Sequence, residues 1–128
     1  MIRRIFAGFL IAFLFTVPAE AGGRRGLQAP PTLHEPSEHA DLRGKNELLF
    51  RWGSEGDRSV ISEYQFKLYK GTQTVESGLI KAETVPASKD RISLPADLFE
   101  NGQTYTWQIR GTGSGKTRPS YTNFKVEK

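Results

Sequence analysis

Two short segments of this chain carry residue types that elsewhere do chemistry. Gly111-Thr112-Gly113-Ser114-Gly115-Lys116-Thr117 has the look of a phosphate-binding loop. Such a loop cradles an anion with backbone N–H groups, while its lysine reaches the phosphates and its Ser or Thr holds magnesium. The strict spacing G-x-x-x-x-G-K-[ST] puts the first glycine where this chain has Arg110. The loop also needs a following helix whose N-terminal amides face the anion. Pro119 comes two residues after Thr117, and the stretch from Tyr121 to Lys128 alternates like a strand. The segment is therefore expected to be a hairpin loop between two strands, with no nucleotide bound.

His34-Glu35-Pro36-Ser37-Glu38-His39 holds both histidines of the chain. A zincin needs H-E-x-x-H on one helix face, so that both rings meet the metal. Here the histidines are five apart, and Pro36 opposes a helix. They are expected to be solvated loop residues, and no metal site is expected. There is no cysteine and no G-x-S-x-G elbow, so neither a thiolate nor that serine nucleophile is on offer. The expectation is a protein that is not an enzyme, with no catalytic residues and no cofactor.

The composition bounds what must position these residues. The chain has 128 residues, 37% hydrophobic, 25% charged and 11% aromatic, with a net charge of +4. Those are values of a globular chain of one-domain length. Basic and acidic residues are interspersed, as in Glu47/Arg51, Asp57/Arg58, Glu63/Lys67 and Asp90/Arg91. A nucleic-acid binder more often shows a basic stripe, so no nucleic-acid partner is expected. Residues 1–21 read as a signal peptide. Arg3-Arg4 opens it, Ile5 to Val17 is an apolar run too short for a span of about 20 residues, and Ala19-Glu20-Ala21 is the cleavage pattern. Arg3-Arg4-Ile5-Phe6 also resembles part of a twin-arginine signal, but Ile2 precedes it, and the general secretory route fits better. Without cysteine the product is not a lipoprotein. A periplasmic or secreted protein is expected, with no membrane insertion after cleavage.

Beyond the leader, residues 22–31 are rich in Gly, Arg and Pro and read as a flexible arm. Residues 32–128 read as one domain of strands. Leu48, Phe50 and Trp52 alternate with Glu47 and Arg51. Tyr64, Phe66 and Leu68 alternate with Glu63, Gln65, Lys67 and Tyr69. Ile92 and Leu94 form a shorter case. Tyr105, Trp107 and Ile109 alternate with Thr104, Thr106, Gln108 and Arg110, and Phe124 and Val126 with Tyr121, Asn123 and Lys125. A period of two with one apolar face indicates antiparallel sheets. Weaker strands are expected at Thr72–Glu76 and Leu79–Val85, and an edge strand near Leu33, flanked by Pro30, Pro31 and Pro36. Turns are expected at Gly53–Asp57, Lys70-Gly71, Asn101-Gly102 and Gly111–Gly115.

Leu48-x-Phe50-x-Trp52, Tyr64-x-Phe66-x-Leu68, Leu98…Gly102-x-x-Tyr105-x-Trp107-x-Ile109 and Phe124-x-Val126, in this order, resemble a fibronectin type III domain of the bacterial envelope type. The resemblance covers roughly residues 30–128. It implies an all-β, seven-stranded antiparallel two-sheet sandwich in the immunoglobulin-like class, with Trp52 in the core. It also implies a corner in which the Tyr105 hydroxyl bonds to backbone a few residues upstream, over Leu98. The family is a spacer and binding scaffold and implies no catalysis. If Tyr105, Trp107 and Ile109 point inward, the opposite face presents Gln65, Lys67 and Tyr69, then Thr106, Gln108 and Arg110, then Tyr121, Asn123 and Lys125. Lys67, Tyr69, Gln108, Arg110, Tyr121 and Asn123 are its candidate binding residues, since exposed tyrosine with Arg, Asn and Gln suits protein contacts. The expected function is a non-catalytic secreted module of the cell envelope that contacts an envelope or extracellular protein. The alternative is a carbohydrate-binding sandwich in which Tyr69 and Tyr121 stack on a polysaccharide.

Overall fold

The computed structural model describes residues 27–54 and 58–128. The leader, its cleavage site, Arg24-Arg25 and most of the Gly53–Asp57 turn lie outside the described residues. Among the described residues no helix is long and apolar enough to cross a membrane.

Strands dominate, in two sheets. The smaller sheet orders β2 (Thr32–Glu35), β4 (Glu47–Gly53) and β7 (Arg91–Pro95), with β4 in the middle. The larger runs β6 (Leu79–Pro86), β5 (Ile61–Lys70), β8 (Thr104–Gly113), β10 (Ser120–Glu127), β3 (Glu38–Asp41). Two short strands, β1 (Leu27–Gln28) and β9 (Lys116–Thr117), extend it beyond the far end of β8. The apolar alternation places the core between the sheets. Leu48, Phe50 and Trp52 face Tyr64, Phe66 and Leu68, Tyr105, Trp107 and Ile109, and Phe124 and Val126, all buried. Phe50 sits at the centre. Its ring meets Phe66 edge-on at 5.0 Å, Trp107 at 5.1 Å and Phe124 at 5.8 Å. Edge-to-face geometry sets the positive ring edge against a neighbour's negative face and adds about 0.5–1.5 kcal/mol per pair beyond burial.

Two side chains tie the core to its ends. The Tyr105 hydroxyl accepts the Glu100 N–H at 2.8 Å, and Leu98 packs half-buried against the same cluster. At the other edge the Trp107 indole N–H donates to the Pro36 carbonyl at 3.0 Å. Pro36 lies where the chain leaves β2 in one sheet and enters β3 in the other. A proline has no N–H to give a ladder, so it suits the residue between two pairings.

The structure departs from the sequence expectations in several places. The strands are not seven, because prolines interrupt the first and last of them. Pro30, Pro31 and Pro36 separate β1, β2 and β3, and Pro119 separates β9 from β10. The pairing is not wholly antiparallel: β3 runs parallel to β10, and β1 parallel to β9. The arm expected over 22–31 holds β1, and its Pro31 is buried, with its carbonyl accepting from the Ser120 hydroxyl. Thr72–Glu76 is no strand. Gly71, at φ 100°, turns the chain out of β5, and a 3-10 turn over Glu76–Gly78 leads into β6. His34 and His39 are exposed as expected, but in strands β2 and β3 and not in a loop.

Candidate functional site

The outer face of the larger sheet is built from the odd residues of β5, the even residues of β8 and the odd residues of β10. Register sets them in rows. Lys67 lies opposite Gln108, and Gln108 opposite Tyr121. The row on one side pairs Gln65 with Arg110. The row on the other side joins Tyr69, Thr106 and Asn123. Opposed side chains in such rows stand about 4.5–5.5 Å apart at Cβ, close enough to act on one ligand.

The three rows differ in cover. Tyr121 is 64% exposed, Lys67, Gln108 and Arg110 are half-buried, and Asn123 is exposed. Tyr69 is only 3% exposed, which corrects its place on the candidate binding face. A shift of register at Leu68/Tyr69 sets it opposite Leu79, beside the 3-10 turn that packs on β5. Burial there, with the Glu76 carboxylate nearby, raises its pKa above the ordinary phenol value. Thr106 was expected to face water and is 1% exposed. Its hydroxyl lies 2.8 Å from the Gly71 carbonyl and 2.6 Å from Asn123 Oδ1. With one proton it donates to one of these two, so the turn after β5 is pinned across this end of the sheet.

Cations on this face lack carboxylate partners among the described residues. Neither Lys67, Arg110 nor Lys125 makes an ion pair with any of the described residues, and the covered Arg110 Nε has no hydrogen-bond partner. Three arginines elsewhere are matched: Arg51 with Glu35 at 3.0 Å, Arg91 with Asp90 at 3.0 Å and Arg43 with Asp41 at 2.9 Å. The Arg43 guanidinium and N–H hold the Asp41 carboxyl down to about 2. Asp90 is lowered by the Arg91 side chain in the same way.

The two motifs that opened the sequence lie largely in strands. In the phosphate-loop look-alike, β8 runs on through Gly113 and Lys116-Thr117 is strand β9. Thr117 is buried, and its hydroxyl accepts the Gly111 N–H at 2.9 Å and donates to the Arg118 carbonyl. A Cβ on Gly113 would fall 2.3 Å from the Val60 carbonyl oxygen. That glycine serves the close approach of two strands. The histidines also diverge. His39 lines a groove of about 540 Å³ with Pro36, Ala40, Leu42 and Leu48, whereas the His34 ring stands over Gly53. Among the described residues no group of three His, Cys, Asp or Glu is placed to hold a metal. That groove opens where the chain changes sheets, and sequence reasoning missed it. Its one signal was Pro36 at the end of the edge strand expected near Leu33.

The chain matches no protein-family model and no curated protein.

Proposed function

We propose that this chain is a non-catalytic, secreted module of the cell envelope, fibronectin type III-like in design, that holds a protein partner on the outer face of its larger sheet. The design is supported by chain connections that pass between the sheets from β4 to β5, β6 to β7 and β7 to β8, and by the Tyr105 corner. Export rests on the leader sequence. The observation that carries the binding role is the open row Lys67–Gln108–Tyr121, bordered by Arg110 and Asn123. An exposed tyrosine among Arg, Lys and amide side chains offers apolar contact area and directed donors together.

The carbohydrate reading loses its second platform. Among the described residues Tyr121 is the one aromatic side chain that is not buried. Sugar stacking across a sheet needs a strip of such rings. The test is capture of a partner from envelope extract on immobilised mature domain, repeated with Tyr121→Ala and Gln108→Ala. Specific capture lost in both variants supports the reading. Capture indifferent to both removes the face, and no specific capture removes the function.

A further inference from the structure

Gln108 stands at the centre of the open part of the sheet. Lys67 is its neighbour on β5, Tyr121 its neighbour on β10, and Arg110 follows two residues along β8 on the same face. Two residues along a strand span about 6.7 Å, and cross-strand neighbours about 5 Å, so three donors and a phenol surround one spot. Neither cation has a carboxylate partner among the described residues, and the Arg110 Nε is covered and unbonded. The arginines bordering the smaller sheet are already paired with Glu35 and Asp90. Lys67 and Arg110 thus set unmatched positive charge side by side on this face, in a chain of net charge +4.

We infer that this spot takes a carboxylate of an acidic protein segment. The inference rests on the function proposed above and specifies the chemistry of the partner. A carboxylate over Gln108 receives charge from the Lys67 ammonium and the Arg110 guanidinium, and hydrogen bonds from the Gln108 amide and the Tyr121 hydroxyl. The neighbouring Tyr121 ring, 64% exposed, gives the flanking residue of the segment an apolar seat. A protein segment fits better than an acidic polysaccharide, because the burial of Tyr69 leaves no second ring for a sugar. Both charges are partly solvent-exposed, so each contributes modestly, and the attraction weakens with salt.

The test is an NMR titration of the mature domain with hexaglutamate, with hexaglutamine, hexalysine and polygalacturonate as the other arms. The expected result is saturable shifts at Lys67, Gln108, Arg110 and Tyr121 with hexaglutamate alone. Lys67→Gln and Arg110→Gln should each weaken this binding by about 2- to 5-fold, and the double variant further. A melt of each variant checks that the domain stays folded. No shift with hexaglutamate, equal shifts with hexaglutamine, or an affinity untouched by both variants overturns the inference. Tighter binding of polygalacturonate overturns the choice of a protein segment. Envelope capture that depends on Tyr121 but not on Lys67 or Arg110 leaves the proposed function standing and removes this inference alone.

Discussion

Thr106 and Gln108 lie two residues apart on one strand and point to the same side of one sheet, yet their surroundings differ. Thr106 is 1% exposed and pinned to the Gly71 carbonyl and Asn123. Gln108 is half-buried between Lys67 and Tyr121. At the first position the chain leaving β5 turns back over the sheet. At the second the sheet meets solvent. Alternation along a strand fixes which side a residue takes. It says nothing of whether a turn from elsewhere covers that side.

The inner face supplies the benchmark. Trp107, between the two, is fully buried against Phe50, Trp52 and Phe66 and donates to the Pro36 carbonyl. Trp107→Ala should cost about 3–5 kcal/mol in denaturant melts, by cavity formation and by orphaning that carbonyl. Thr106→Ala should come next, at about 1–3 kcal/mol, because it strips a buried partner from Gly71 and Asn123. Gln108→Ala should stay within about 0.5 kcal/mol, as open surface changes usually do. Equal losses at 106 and 108 would mean that the turn does not cover the sheet.

How much of this was legible beforehand follows from the same contrast. The inward residues were readable one by one, since Phe50, Trp52, Phe66, Trp107 and Phe124 follow a period of two and all are buried. The Tyr105 corner was implied by the resemblance to a fibronectin type III domain, and the Tyr105 hydroxyl accepts the Glu100 N–H as that resemblance implies. Tyr69 was not. It follows Lys67 in perfect alternation, and only the register shift at Leu68/Tyr69 and the fold of 71–78 bury it. Both depend on contacts remote in sequence. The sheet change at Pro36 was half legible: the proline announced an interruption, while the parallel pairing of β3 with β10 had no local signal. That Lys67 pairs with no described carboxylate was equally invisible, because Glu63 lies four residues before it and suggested a partner it does not supply.

The covered end can also be probed without perturbing the open end. Tyr69 has a raised pKa, first because burial disfavours the phenolate and second because the Glu76 carboxylate is near. The sign of the linkage follows. A folded-state pKa above the unfolded one means that the neutral phenol stabilises the fold fully below the unfolded value, near pH 10. That contribution is lost as pH rises through the folded value, so stability should decline on the alkaline side of pH 10. Tyr69→Phe removes this titration and should flatten the decline. Glu76→Gln removes the lesser cause and should lower the Tyr69 pKa in part, leaving it above 10.0 because burial remains. The measurement is the phenolate absorbance titration of each variant against wild type. A Tyr69 that titrates at its ordinary value would place water over this end of the sheet, and the difference between Thr106 and Gln108 would then have no structural cause.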